Sequence, residues 1–344
     1  MTKTAPLIAA VGVLALASVA FVETRQAPAA AGSLLMACWL FAGLGFGALA
    51  LLLLHDLTGG DWGWPLRPAL QATAATLPLT SVATLLWLPA LDALYPWARA
   101  VDTPQSWYLN EPFFIARALL FLLSWSALAL WVQRPPPARR RGPVLALLWL
   151  GLSGSLAGID WAMSLTPEHH AAGFGLLTIS GWVLGAMALA VGASTTSVEN
   201  ESIRADHGAW LLMLLLLWAY LAYMDYLTAW IGDQPSALAW YWPRVGTEWS
   251  RWMLAGVALR VLLPFCLLLD SRARRNPRVL ALCAALLLAA QFMEAVLMVL
   301  PSLRSSGPLW YWSDLLAVLG LGLLFGSAFD FLRRRRTRIA GEPA

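Results

Sequence analysis

Residues 158–185 combine an acid inside an apolar segment with two histidines in a turn, and these residue types can move protons. The stretch reads GIDWAMSLTPEHHAAGFGLLTISGWVLG. Asp160 lies near the end of one apolar run, Pro167 ends that run, and His169 and His170 precede the next. A carboxylate in hydrocarbon costs about 2.5–3.5 kcal/mol even on the mildest scale, so an acid retained there indicates a function or a buried pair. Histidine titrates near neutral pH and can accept a proton.

Four further ionisable residues fall inside apolar runs: Arg117, Asp225, Arg260 and Glu294. At ~1.5 Å per residue, the three acids and Arg117 share a predicted layer roughly 8–10 Å below the outer surface. Arg260 is predicted deeper, near the middle of its helix. Such a layer can hold the head group of a quinol, whose oxidation needs groups that accept protons, or form the mouth of a proton path. The same charges can instead be structural ion pairs that join two helix bundles.

The four histidines do not suit a di-haem cytochrome b, which needs histidines facing each other from helix interiors. His55 and His207 are predicted at the cytoplasmic ends of their helices, whereas His169 and His170 lie in an outer turn, where both can also face solvent. The sequence has no Walker motif, HExxH, CxxC or CxxCH, and so no recognisable redox, metal or hydrolytic centre. Three cysteines in apolar runs are predicted to be core thiols: Cys38, Cys266 and Cys283.

The composition predicts an integral membrane protein. Apolar residues make up 60% of the 344 residues and charged residues 12%, whereas a soluble domain carries roughly a quarter charged residues. About 20 helical residues cross the ~30 Å hydrocarbon core. The first apolar run, after Lys3, resembles a cleaved signal peptide, but its length favours a retained helix. The ten predicted spans are residues 6–23, 32–54, 68–91, 112–133, 143–165, 170–193, 208–231, 249–270, 277–300 and 309–332.

Arginine clusters set the predicted orientation. They occur at Arg134 with residues 139–141, at residues 272–278, and at residues 333–338. All three fall on one side of a ten-helix chain, which predicts that this side and both termini are cytoplasmic and that the positive charge reports topology, not nucleic-acid binding. The outer loops are aromatic, which suits an interfacial belt, a docking surface, or both. These aromatics are Trp97, Trp107, Tyr108, Trp230, Trp240, Tyr241, Trp242, Trp249, Trp252, Trp310, Tyr311 and Trp312.

An internal repeat appears when the chain is shifted by 134 residues. The shift places Arg117 on Arg251, Arg141 on Arg275, Pro143 on Pro277, Asp160 on Glu294 and Pro167 on Pro301, and Asp92 meets Asp225 with one residue of slippage. The repeat unit holds four helices, an even number, so both copies face the same way, as in a parallel duplication. Pairs of glycines four residues apart allow helices to approach closely: Gly43/Gly47, Gly154/Gly158, Gly181/Gly185 and Gly322/Gly326.

The predicted fold is therefore an all-α integral membrane protein with ten transmembrane helices. Residues 1–31 form the first helix, residues 32–167 the first four-helix bundle, and residues 168–303 the second. Residues 304–344 form the last helix and a basic cytoplasmic tail.

The motif DWAMSLTP at residues 160–167, followed by His169, Phe174 and Gly175, resembles the DWxMSLxPHW…FG stretch of a family of respiratory membrane subunits. This family is the second of the two NrfD-like (polysulfide-reductase-C-like) subunits of alternative complex III, the quinol:cytochrome c oxidoreductase. Residues 108–114, Trp218 with its neighbours, and residues 275–277 also match, so the resemblance covers about residues 35–332. The chain departs from the family at residues 168–170, which read EHH in place of HW, and at residues 65–71, which lack an expected acid.

The resemblance implies ten helices in two four-helix bundles, within the bacterial inner membrane. It implies partners: multihaem cytochrome and iron–sulfur subunits, a sister NrfD-like subunit, and a cytochrome oxidase as a further candidate. No covalently bound cofactor is expected, and quinone or quinol is the expected ligand. The first hypothesis is a non-haem subunit with an outer-side quinone or proton-transfer site at Asp160, His169, Asp225, Glu294, Arg117 and Arg260. The alternatives are a structural membrane anchor of an oxidase complex and a secondary transporter.

Overall fold

The computed structural model describes residues 5–99, 106–134, 142–233, 235–304, 307–308 and 310–341. Within these residues the chain is helical, with 85% helix and no strand, which confirms the all-α prediction. Lys3 and residues 139–141, on which the signal-peptide and orientation arguments partly depend, lie outside the described residues.

Ten principal helices follow one another along the described chain. They are α1 (Ala5–Thr58), α2 (Gly63–Ala74), α3 (Leu77–Thr84), α4 (Glu111–Trp131), α5 (Gly142–Trp161), α6 (Phe174–Ser194), α7 (Glu201–Gly232), α8 (Trp249–Leu269), α9 (Pro277–Leu303) and α10 (Trp312–Gly341). Short helical turns at Leu88–Ala90, Leu91–Leu94, Pro96–Arg99, Met163–Leu165, Pro235–Leu238 and Trp242–Val245 lie between them.

Eight helices in the described residues are long and apolar enough to cross a membrane, so the chain is a multi-pass membrane protein. A ninth span results if the pieces from Gly63–Thr84 and Leu88–Leu94, bent by 44° relative to each other, form one crossing. Pro89 opens the second piece and lacks the N–H that a continuous helix would use. The predicted span 68–91 corresponds to these two bent pieces, and a single crossing there stays a prediction.

The first two predicted spans, 6–23 and 32–54, belong to one assigned helix, α1. Positions 12 and 41 of α1 both lie against α10. A Cβ added to Gly12 would be 2.8 Å from the carbonyl oxygen of Gly320, and a Cβ added to Gly322 would be 3.1 Å from the ring of Phe41. A straight helix would separate positions 12 and 41 by about 44 Å, at ~1.5 Å per residue. Because both positions contact the same turn of α10, the axis of α1 must reverse, and the two predicted spans run in opposite directions.

α1 and α6 form the centre of the molecule, whereas α7 and α8 lie at its edge. In the most apolar 18-residue stretch of each helix, 89% of the second half of α1 and 78% of α6 is buried inside the protein. The corresponding share is 17% in α7 and 17% in α8. Gly47 lets α1 and α6 touch, since a Cβ there would lie 2.2 Å from the Trp182 carbonyl oxygen. The close approach predicted from paired glycines is confirmed at this contact.

The exposure of α8 corrects one prediction. Cys38 and Cys283 are buried, but Cys266 is exposed on α8 and is not a core thiol. The aromatics that the sequence places in outer loops divide in the same way between core and surface. Trp97, Trp240 and Trp249 are buried, while Trp107, Trp230, Trp242 and Trp312 are exposed.

Candidate functional site

Asp160 forms a buried ion pair with Arg117, joining α4 to α5. Arg117 Nε donates to Asp160 Oδ2 over 2.8 Å, and Nη2 donates to Oδ1 over 3.1 Å. The Asp160 side chain is only 1% exposed and the Arg117 side chain only 7%. Asn110 caps α4 by accepting from the Phe113 N–H, which fixes the start of the helix that carries Arg117. The two residues that the sequence placed at one depth therefore neutralise each other.

Tyr108 covers this ion pair from the loop before α4. Its carbonyl oxygen accepts from Arg117 Nη1 over 3.0 Å, and the Arg117 guanidinium carbon lies 3.9 Å from the centre of its ring. Burial raises the pKa of the Tyr108 hydroxyl, and the charge of Asp160 raises it further. The phenol is therefore a neutral donor near pH 7. Its Oη is buried and lies close enough to the Asp160 carboxylate to interact with it, although no hydrogen bond of ordinary geometry joins the two.

A cleft of about 160 Å³ opens beside Tyr108, between the loop before α4, the end of α5 and the turn that follows it. Its wall is mainly apolar, and it includes both residues of the predicted histidine pair. The lining residues are Trp107, Tyr108, Leu109, Ile159, Met163, Ser164, Pro167, His169 and His170.

His169 is 2% exposed and presents a free acceptor atom. Its Nδ1 lies 3.1 Å from the Ala237 carbonyl oxygen, and a carbonyl can only accept, so Nδ1 carries the proton. Nε2 is then the unprotonated nitrogen of a neutral ring, and it is buried without a partner in the described residues. The ring stacks on Trp240 with centroids 5.6 Å apart, which fixes its orientation.

Burial also lowers the pKa of His169 below its ordinary value of 6.5, although the nearby Asp225 carboxylate acts in the opposite direction. The ring is therefore neutral at pH 7. His170, its neighbour in the chain, is exposed. Burial thus sets His169, the histidine that the sequence hypothesis named, apart from His170.

Asp225 on α7 lies near His169 but has its own partner, because the Tyr241 hydroxyl donates to Asp225 Oδ2. Arg244, in the short helix Trp242–Val245, supports this corner: its guanidinium lies 3.4 Å from the Trp240 ring and donates to carbonyls of α9. Burial lowers the pKa of Arg244 to about 9. Sequence reasoning missed Arg244, although an arginine within the aromatic segment YWPR was a usable signal.

Glu294 on α9 pairs with Arg260 on α8 over 2.8 Å, and both side chains are buried. Gln291 Nε2 and Trp218 Nε1 also donate to the carboxylate, each over 2.9 Å. Gly181 makes room, since a Cβ there would lie 2.8 Å from Glu294 Oε1. Arg260 sits in a single π-helical turn, Ala258–Leu262, a feature often found at functional sites.

Arg260 lies near the middle of α8, where the sequence placed it, 11 residues from the start of this 21-residue helix. Glu294 is 9 residues from the end of α9, so the two positions differ in depth by only about 3 Å and their side chains can meet. Arg251, the residue that the repeat aligns with Arg117, is 79% side-chain exposed and pairs with Glu248. In the described residues, the cation that pairs with Glu294 is therefore Arg260 and not Arg251.

The predicted site residues thus form three separate groups, not one layer of mutually paired charges. In the described residues, no ion pair connects one of these acids to another group's cation. A further buried pair, Arg304–Asp314 at 2.7 Å, was not foreseen and joins the ends of α9 and α10. The two histidines that the sequence placed at the cytoplasmic helix ends have partners as well. His55 and Asp56 contact Arg67, and His207 contacts the Trp62 carbonyl oxygen.

No cluster of three His, Cys, Asp or Glu side chains in the described part of the chain could hold a metal ion. Comparison with models of known protein families and with curated proteins found no match to this chain.

Proposed function

We propose that this chain is a non-haem integral membrane subunit of a respiratory quinol:cytochrome c oxidoreductase of the alternative complex III type. In this proposal it contributes a quinol site and proton acceptor on the outer side of a bacterial inner membrane, with both termini cytoplasmic. Its partners are multihaem cytochrome and iron–sulfur subunits, a sister NrfD-like subunit, and a cytochrome oxidase as a further candidate. The motif resemblance supports the class of complex, and the geometry of the cleft supports the site.

The observation that carries the proposal is the unpartnered acceptor atom His169 Nε2, on a residue that lines the cleft. Buried polar groups in proteins almost always have a partner, so this nitrogen of a neutral imidazole needs an explanation. The second polar group on the cleft wall is the Tyr108 phenol, a donor that lies beside the Asp160 carboxylate. A dihydroxy aromatic ring offers both complements, and the mainly apolar wall suits its ring and isoprenoid tail.

The chain's own groups can then bind the substrate and move its proton. His169 Nε2 accepts the hydrogen bond of one quinol hydroxyl and takes that proton as the quinol is oxidised, and the proton of the other hydroxyl leaves to water at the open side of the cleft. Tyr108 donates to the other oxygen, and the Arg117–Asp160 pair holds Tyr108 by a hydrogen bond and a ring contact. The electrons leave to a haem or iron–sulfur centre of a partner subunit, because this chain has no redox centre of its own in the proposal.

A second candidate, a structural membrane anchor, is favoured by the completeness of the ion pairs. Asp160 accepts from both Nε and Nη2 of Arg117, and Glu294 accepts from three side chains. Carboxylates that are fully paired are typical of structural contacts and are not poised to take up protons. This candidate leaves His169 Nε2 without a role.

His169→Phe separates the two candidates. The substitution keeps an aromatic ring against Trp240 but removes the proton acceptor. We expect quinol oxidation in native membranes to fall at least 100-fold, within the range of general-base contributions, with the complex still assembled. His170→Phe, at the exposed neighbour that also lines the cleft, is the matched control for a change of the lining, and it should lower turnover far less than His169→Phe does. Equal turnover in the two variants, with intact assembly, would favour the anchor.

A further inference from the structure

Arg336, near the end of α10, is held by two glutamines from other parts of the chain. Its Nη1 donates to Gln71 Oε1 on α2 over 2.8 Å, and its Nη2 donates to Gln133 Oε1, just after α4. The amide nitrogen of Gln71 donates to the Val132 carbonyl oxygen over 3.5 Å. The amide nitrogen of Gln133 donates to the Ala129 carbonyl oxygen over 2.6 Å. Both amide oxygens are therefore turned toward Arg336, and its guanidinium has a fixed place between α2, α4 and α10.

This guanidinium is positioned but not neutralised. Four other arginines with buried side chains each pair with a carboxylate at 2.7–2.9 Å: Arg67, Arg117, Arg260 and Arg304. In the described residues, no such pair includes Arg336, which faces the two amides instead. Residues 65–71 contain no acid, so this part of α2 offers an amide where an ion pair would need a carboxylate. An amide oxygen accepts a hydrogen bond but carries no net charge.

Three N–H donors of Arg336 remain available to a further partner. A guanidinium carries five N–H groups, and the two glutamines take one each. Nε is buried and has no hydrogen-bond partner in the described part of the chain. Arg67 and Arg335 lie close enough to repel the Arg336 charge, and Arg67 already pairs with Asp56. A fixed cation with unused N–H groups and positive neighbours is suited to an oxyanion.

The position of Arg336 along α10 indicates where the anion comes from. The part of α10 that is apolar enough to cross a membrane, Trp312–Arg336, ends at this residue. The guanidinium therefore lies at the level of the lipid head groups, where the membrane itself presents phosphate groups at high local concentration. The planar fork of arginine matches phosphate oxygens, and basic sites between transmembrane helices bind anionic head groups. A zwitterionic lipid fits less well, because its own ammonium group adds a cation beside Arg335.

We infer that Arg336, with Arg335 beside it, binds the phosphate group of an anionic phospholipid in the leaflet where α10 ends. The two glutamines hold the guanidinium in place, the phosphate oxygens accept from its remaining N–H groups, and the net charge of the lipid balances the two arginines. The inference does not depend on which leaflet this is, nor on quinol binding in the cleft at α4–α6.

The test titrates the purified, delipidated full-length chain in detergent with phosphatidylglycerol and counts bound lipids by native mass spectrometry. We expect the first lipid to bind saturably, and Arg336→Gln to weaken its binding at least tenfold. Arg334→Gln is the matched control on the same helix: it removes the same charge, but Arg334 is 64% exposed and pairs with Asp330. That control should weaken the first binding step less than threefold. Phosphatidylcholine should bind the unmodified chain at least tenfold more weakly than phosphatidylglycerol.

Gln71→Glu tests the same site without removing the arginine. It places a carboxylate where the amide oxygen now accepts from Arg336 Nη1, so it supplies an internal anion and should weaken phosphatidylglycerol binding at least tenfold in a folded chain. Unchanged binding in Gln71→Glu, or equal binding of phosphatidylcholine, would overturn the inference. Complete displacement of the lipid by millimolar inorganic phosphate would overturn it as well, because free phosphate would then be the ligand. Quinol turnover is not measured, so failure here and failure of the proposed quinol site are distinguishable.

Discussion

Asp160→Asn is the substitution with the most informative expected cost. It removes the charge that balances Arg117, whose side chain is only 7% exposed and so has no access to bulk water. Breaking a buried pair by removing one partner typically costs about 3–5 kcal/mol, because the other charge is left uncompensated. Arg117 keeps its hydrogen bond to the Tyr108 carbonyl oxygen and its ring contact. We therefore expect the lower end, about 3 kcal/mol.

Adding Arg117→Gln to Asp160→Asn removes the stranded charge. Neutral replacement of a whole buried ion pair is often close to isoenergetic, so the double variant should recover most of the lost stability. The measurement is the free energy of unfolding of each single variant and of the double variant in a denaturing-detergent titration. The two single costs should exceed the double cost by at least about 2 kcal/mol, as interacting residues do in such a cycle.

Quinol oxidation by the same variants separates the mechanism from the scaffold. If the ion pair only joins α4 to α5, the double variant should recover turnover together with stability. If it positions Tyr108 for substrate, stability should return while turnover stays low. A loss below about 1 kcal/mol for Asp160→Asn would refute the reasoning, since that value belongs to exposed pairs.

Three further outcomes are expected from other parts of the structure. Arg260→Met should lower the free energy of unfolding by about 3–5 kcal/mol in the same titration, because it leaves the buried Glu294 carboxylate without its cation. Arg251→Met is the control, since it breaks an exposed pair worth up to ~1 kcal/mol. Equal losses in the two variants would contradict the pairing of Glu294 with Arg260. Gly47→Ala should destabilise the contact with α6 and lower the yield of folded chain, while Gly151→Ala, with open space around it, should not. Burial lowers the pKa of His169 below 6.5, so as the pH falls this histidine takes up a proton in the unfolded chain before it does so in the folded chain. The stability that the neutral buried ring contributes is therefore present above pH ~6.5 and is lost as the pH falls below that value. Quinol turnover should show the same acid limb, and a His169 variant whose residual turnover keeps that limb would contradict the assignment.

Much of the fold was accessible from the sequence because membrane solvation imposes long apolar helices. The all-α class and most span positions were predicted from apolar runs. The 44° bend within residues 68–91 was not predicted, although Pro89 stands at the start of the second piece. The number of crossings beyond the eight apolar helices, and the repeat as a whole, stay predictions.

The candidate site was only partly accessible. Asp160 and Arg117 stood out because charges in apolar runs are rare, and their common depth predicted their contact. His169 differs from His170 only through tertiary contacts with Trp240 and Ala237, which are distant in sequence. No local pattern carries that information. The sequence placed Arg260 and Glu294 in one candidate set but did not specify that these two residues pair.

The most direct test of the central claim is to locate bound quinone. A photoreactive azido-quinone with an isoprenoid tail is added to the native membrane complex, illuminated, and mapped by peptide mass spectrometry. We expect labelling of peptides that contain Tyr108, Met163 or His169, and loss of that labelling when unmodified quinol is added in excess or when His169 is changed to Phe. Labelling that is confined to another subunit, or that is unchanged in the His169→Phe variant, would contradict the claim.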